Sequence, residues 1–203
     1  MIQDFYTKVL QISERELVEK LSNLTEIKHL EKGELLIREG ETQTHLYFLL
    51  NGLLRGYFLD MNGRDITDCF GAQRGSPAVP CLTVDAPASI NIEALENSDM
   101  ISLPAAQVME LMESHPCLIK IYNQYLQTSL EYHWQIKSAV YQYTAMQRYQ
   151  WFLKTYPGLI SRVKKKYIAS FLRITPVTLS RLRKELRDNP NTELKQQGGN
   201  DNG

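Results

Sequence analysis

The chain reads as an α+β fold: an N-terminal antiparallel β-roll, one long helix and a C-terminal pair of short helices. Three observations predict it. From about Ile27 to Leu103 the sequence is a series of short β-prone runs, with Gly33, Gly40, Gly52, Gly56, Gly63 and Gly71 between or within them. From Leu118 to Tyr143 apolar residues recur at alternating spacings of four and three. Lys165–Lys184 (KKYIASFLRITPVTLSRLRK) then sets two apolar-periodic stretches on either side of a turn.

Taken in order, SERELVEKLS at 13–22 predicts a short helix capped by Ser13, with Glu16 three residues on. The β-prone runs are LLIREG, HLYFLLNG, LLRGYFLDMNG, DITDCFG and INIEALE. Asn51-Gly52 and Asn62-Gly63 are hairpin signals, because both residue types tolerate positive φ. Strands so closely spaced predict a small antiparallel roll. Gly75–Ala88 (GSPAVPCLTVDAPA) carries three prolines and predicts an irregular loop across it. A helix from about Pro116 to Tyr143 follows, with a heptad seam of Leu118, Tyr122, Tyr125, Ser129, Tyr132, Ile136, Ala139 and Tyr143. Ile119, Leu126, Leu130 and Trp134 form a second stripe. Two stripes imply two partners, the roll on one side and a second copy of the chain on the other, so a parallel homodimer is expected.

At 203 residues and 43% hydrophobic, the chain has room for one large or two modest domains. Its 23 basic and 23 acidic residues cancel, which conceals an asymmetry. Residues 161–188 hold nine Lys/Arg against Glu185 and Asp188, a net of +7, while residues 1–160 carry a net of −6. A basic module on an acidic body is the footprint of phosphate binding by one end of a molecule. No run approaches the ~20 apolar residues of a membrane span. The opening MIQDFYTKVL has none of the features of a secretory signal, so a cytoplasmic location is expected. Cys69, Cys81 and Cys117 are odd in number and far apart, which suits neither a disulfide framework nor a zinc or iron–sulfur site. His29, His45, His115 and His133 read as surface or capping residues, with a haem axial ligand as the alternative. No cofactor is expected. G-x-S-x-G, P-loop and H-E-x-x-H motifs are absent, and no enzyme is predicted.

The C-terminal segment is a helix-turn-helix pattern. Ile168, Leu172, Ile174, Leu179 and Leu182 take the wedge positions, with Ala169 as the small residue where the helices cross. Thr175 is placed to cap the second helix and Pro176 suits its first position. At 100° per residue, Leu179, Leu182 and Leu186 share one face, and Val177, Ser180, Arg181 and Lys184 point away from it. With Thr175, Pro176 and Thr178 at the helix start, and Lys165, Lys166 and Arg173 beside it, these form the candidate surface for double-stranded DNA. Arg173 occupies the turn position where Gly is usual, at a cost of about 1 kcal/mol.

This order of parts resembles the catabolite-activator/anaerobic-regulator (Crp/Fnr) family. The likeness is carried by KGELLIREGETQTHLYFLLNGLLRGYF at Lys32–Phe58, AMQRYQWFLKTYPGL at Ala145–Leu159 and YIASFLRITPVTLSRLRKEL at Tyr167–Leu186. It implies a cyclic-nucleotide-binding-like roll (a double-stranded β-helix) over 1–114, a dimerisation helix over 115–143 and a winged helix-turn-helix over 144–188. It also implies a homodimer on a pseudo-palindromic site, with RNA polymerase as a further partner. The polar, Gly-rich tail 189–203 is expected to be disordered. Ligand-binding members hold the cyclic phosphate and ribose with a Gly-Glu pair and an Arg-Ser pair. Here those positions read Gly71-Ala72 and Ala88-Ser89, with Arg74 the nearest replacement charge. These five residues are the candidate effector pocket, for an unknown effector or none, and not for cyclic AMP. Cyclic-nucleotide-responsive members also place Arg-Glu at the start of the reader helix and Arg four residues after that Glu. The matching residues are Pro176, Val177 and Arg181, so the preferred site should differ from the usual one. A partner-binding adaptor with a degenerate winged helix is the alternative.

Overall fold

The computed structural model describes residues 1–78 and 86–189. It divides into two compact units, Met1–Glu131 and Tyr132–Gly203. The first contains β1 (Glu26–Leu30), β2 (Leu35–Ile37), β3 (His45–Asn51), β4 (Leu54–Leu59), β5 (Asp65–Gly71), β6 (Pro77–Ala78), β7 (Asn91–Ala94) and β8 (Ser98–Pro104). They form two antiparallel sheets, ordered β1-β8-β3-β6 and β2-β7-β4-β5. The mixed α+β architecture with an antiparallel roll is the one the sequence predicts.

Alternation on β3 explains how one strand serves two cores. Leu46, Phe48 and Leu50 face the helices, where they join Phe5, Leu17, Leu21, Ile101 and Leu118. Tyr47 and Leu49 face the roll interior with Leu36, Leu54, Ile92 and Met100. Both faces are covered, which is why HLYFLL reads as an unbroken apolar run. On the outer face of the other sheet lies a buried cation. Arg55 of β4 is 1% exposed and meets Glu93 of β7 and Asp65 and Thr67 of β5.

The two hairpin signals have different outcomes. Asn62-Gly63 joins the paired strands β4 and β5. Asn51-Gly52 instead carries the chain from one sheet to the other, since β3 pairs with β6 and β8 and not with β4. Gly52 is needed there for space as well as for its φ of 107°: an added Cβ would lie 2.6 Å from Ser98 Cβ. Asn51 Nδ2 donates to Asp99 Oδ2 at 2.6 Å. His29 bonds the same carboxylate, so β1, β3 and β8 share one polar contact. Within the proline-rich stretch, Pro77 and Ala78 pair with β3 as a two-residue strand where a loop was expected. Residues 79–85, including Cys81, lie outside the described residues.

Helix α1 (Ile2–Asp4) runs into a π-helical turn, Phe5–Val9, that buries Phe5 and Tyr6 completely. Helix α2 (Arg15–Leu24) starts later than expected: Glu14 caps it with extended backbone and no side-chain bond, and Ser13 is not the cap. The Glu14 carboxylate instead meets His115 Nδ1 at 3.0 Å, and burial of Leu17, Val18 and Leu21 orients the helix. Helices α3 (Ala105–Ser114) and α4 (Pro116–Gln142) complete the order up to the second unit.

The structure sorts the two stripes of α4. Leu118 is buried in the first unit's core, and Tyr125 packs on Phe48 at 5.7 Å while its hydroxyl donates to the Gly75 carbonyl at 3.1 Å. Further on, Tyr132 accepts from the Tyr156 hydroxyl at 2.6 Å and Ala139 is buried. Tyr122, Ser129 and Tyr143 of that seam are exposed. So is the whole second stripe, Ile119, Leu126, Leu130 and Trp134.

The second unit adds α5 (Ala145–Thr155), α6 (Leu159–Arg162), α7 (Lys165–Phe171) and α8 (Pro176–Asp188). Thr144 and Gln147 form a reciprocal capping box at the start of α5. Phe152, Tyr156 and Phe171 pack ring against ring at 5.2 to 5.9 Å around its core. Helices are the regular elements of residues 132–189, joined by short turns. No strand lies among the described residues of this unit, so the wing implied by the resemblance is not among the described elements. Asn189 caps α8 through its N–H, which donates to the Glu185 carbonyl at 2.9 Å, and thereby lies outside the disordered tail expected from 189. Residues 190–203 are outside the described residues.

Candidate nucleic-acid interface

The turn between α7 and α8 fixes the candidate reader helix. Its backbone pattern is a Schellman motif, with Ile174 N–H donating to Ala169 O at 2.9 Å and Arg173 N–H to Ser170 O at 3.0 Å. Such a motif needs a left-handed residue, and Arg173 supplies it at φ 55°. The usual turn geometry is therefore kept without glycine. Ala169 is fully buried at the crossing, and Ile168, Leu172, Leu179 and Leu182 form the wedge around it. Ile174 is half-buried.

Thr175 then starts α8. Its Oγ1 accepts from Thr178 N–H at 3.0 Å, and Pro176 sits at the first helical position. With Leu179 and Leu182 buried, Val177 stands 80% exposed, and Ser180, Arg181 and Lys184 are exposed with it. Thr175, Pro176, Lys165, Lys166 and Arg173 are exposed too, and Thr178 is half-buried. The sequence-predicted set is thus brought onto α8 and the ends of α7. Lys166 lies 4.7 Å from the Tyr167 ring centroid, which holds its ammonium close to the helix. Sequence reasoning missed Tyr149, Arg183 and Arg187, which line a cavity beside Ser180 and Lys184. The basic count of the segment was the only signal for the two arginines.

The candidate effector residues do not assemble into a charged site. Ala88 is buried in the roll's aliphatic core and Ser89 is exposed. Gly71 ends β5, and Ala72 offers only a methyl group. Arg74 is exposed, and its charge helps lower the Asp4 carboxyl, whose main partner is Lys8. The segment 79–85 (VPCLTVD) contains no Lys or Arg. A cyclic phosphate needs a countercharge in a dry site, and these residues do not fit one. Among the described residues no cluster of His, Cys, Asp and Glu is placed to hold a metal ion, and no helix is long and apolar enough to cross a membrane.

Residues 27–115 match the cyclic nucleotide-binding domain family. No curated protein matches the chain by sequence. Among solved structures, FixK2 from Bradyrhizobium japonicum superposes with a TM-score of 0.73 at 17% identity, covering 85% of this chain and 89% of that one. A transcriptional regulator of the Crp/Fnr family from Eubacterium rectale gives 0.69 at 17%, covering 94% and 91%. The c-di-GMP responsive global regulator CLP of Xanthomonas campestris gives 0.70 at 11%, covering 91% and 97%. At these identities the shared property is the fold, and it is the fold of the Crp/Fnr regulators that the sequence resembles.

Proposed function

We propose that this chain, which carries a cyclic nucleotide-binding domain over 27–115 within the fold of the Crp/Fnr regulators, is a sequence-specific DNA-binding transcriptional regulator. One observation carries the reading. Helix α8 is held by a Schellman turn and a threonine cap so that its exposed face is Val177, Ser180, Arg181 and Lys184. Arg181 suits a bidentate contact to guanine O6 and N7, worth ~1–3 kcal/mol of discrimination. Val177 suits a thymine methyl and accepts no hydrogen bond from cytosine. Lys165, Lys166, Arg173 and Lys184 suit phosphates, which fix position without reading sequence. The regulator acts in the cytoplasm as a homodimer through the exposed stripe of α4, so two copies of α8 face half-sites about one helical turn, ~34 Å, apart. RNA polymerase is its further partner. Its domains are the roll over 1–114, the dimerisation helix over 115–143 and the helix-turn-helix over 144–188.

The roll takes an unknown effector that is not cyclic AMP, or none. The apolar Ala72 and Ala88 support this, and an equilibrium titration with cyclic AMP should give no saturable binding at micromolar concentrations. Selection of binding sites from random duplexes tests the DNA reading. Arg181→Ala should lose preference at one base pair per half-site, and Lys184→Ala or Lys165→Ala should weaken all sequences alike. An adaptor that contacts protein instead would select no duplex and show no steep salt dependence.

A further inference from the structure

One flank of α8 carries charge that the reader face does not use. At 100° per residue, Lys184, Ser180, Arg187 and Arg183 follow one another from the exposed face toward the buried one. They line an open cavity of about 580 Å³, with Tyr149 of α5 and Lys165 of α7 on its other sides. Leu186 is the apolar part of its lining, and no carboxylate is among the lining residues. Asp188 stands just outside it, with its Oδ1 3.4 Å from Arg187 Nε. Burial raises the Tyr149 phenol, and the Arg183 charge opposes that shift, which places a protonated hydroxyl beside a guanidinium.

We propose that this cavity seats a phosphodiester group of the DNA backbone, held by Arg183 and Arg187 with Lys165 at its rim. The inference rests on the DNA reading above and extends the contact surface from α8 back to α5. Ser180 and Lys184 belong both to the exposed reader face and to the cavity. A duplex lying over Val177 and Arg181 therefore brings one strand to it. Guanidinium groups match phosphate oxygens with two parallel N–H donors. The Tyr149 hydroxyl supplies a neutral donor.

The test compares the full-length wild type with Arg183→Gln, Arg187→Gln and the double variant, and with Lys154→Gln on exposed α5 surface as control. Affinity for a selected and a random duplex is measured across a salt series. Removing one phosphate-binding cation should reduce the steepness of log K against log salt by about 0.9. Both duplexes should weaken by the same factor, with the selected sequence unchanged and the control behaving as wild type. Arg187 is exposed, so its variant reports even where Arg183→Gln disturbs folding. Slopes equal to wild type overturn the proposal, and so does a changed sequence preference, which would make these residues base readers. Inorganic phosphate is titrated separately against the Tyr149 ring resonances. If it binds at micromolar concentration and the variants abolish that without altering the DNA slope, the cavity takes a free anion and the proposal falls. A wild type that selects no duplex at all defeats the DNA reading itself, a distinguishable result.

Discussion

Arg55 Nε donates to Glu93 Oε1 at 2.7 Å, joining β4 to β7 with the guanidinium 4.2 Å from the Tyr57 ring centroid. The same group reaches Thr67 Oγ1 at 3.1 Å and Asp65 Oδ2 at 3.2 Å. Removing it leaves the nearly buried Glu93 carboxylate without this donor, which costs roughly 3–5 kcal/mol in comparable pairs. Arg55→Met should lower the urea midpoint strongly, and adding Glu93→Gln should recover part of the loss. Equal midpoints for wild type and Arg55→Met would remove the pair from the account of stability.

Arg173 is a compromise between turn and charge. Arg173→Gly relieves a left-handed non-glycine residue and should raise stability by about 1 kcal/mol. The same change removes a cation beside the reader helix, so DNA affinity should fall alike on all sequences. Thermal melts and binding curves on one protein sample read both effects, and a variant less stable than wild type contradicts the first.

Burial raises the Tyr6 phenol from its ordinary 10 to about 12, against the opposing effect of its hydrogen bond with Thr25. The folded state thus keeps a proton that the unfolded chain releases near pH 10. Stability from this group is complete below about pH 10 and drains away as pH rises toward 12. Tyr6→Phe should flatten part of that alkaline loss, while costing about 1 kcal/mol at neutral pH through the lost hydrogen bond to Thr25, whose hydroxyl still donates to the Leu21 carbonyl. Burial shifts Tyr47, Tyr125 and Tyr149 upward as well, so some alkaline slope should remain.

Leu130 and Trp134 are 60% and 56% exposed on α4. Replacing both with Glu should give a monomer by analytical ultracentrifugation, with far weaker binding to a two-half-site duplex. An unchanged sedimentation mass would place the dimer contact elsewhere.

The helix-turn-helix was legible because each of its requirements falls on a distinct residue type. Small Ala169, wedging leucines, capping Thr175 and Pro176 are local signals with one structural meaning each. The roll was legible as strands and turns, but pairing across sheets was not. Asn51-Gly52 looks the same whether the chain doubles back or changes sheets, since the deciding contact, Ser98, lies 46 positions away in sequence. The two stripes of α4 were visible too, but which faced inward depended on Phe48 and Tyr156, and periodicity carries no such information. The cavity beside α8 needed three helices brought together, and no single window of sequence contains Tyr149, Lys165 and Arg187.

A strand that is apolar on both sides has a particular weakness. Sliding β3 by one residue would still present hydrophobic groups to each core, so greasiness alone cannot reject the wrong alignment. The polar contact among His29, Asn51 and Asp99 supplies the missing check at the end of the sheet. The Asn51 amide, then the His29 ring, hold the Asp99 carboxyl below its ordinary range. Any slip breaks that contact and strands an anion, so three surface residues serve as the index mark by which the interior finds its place.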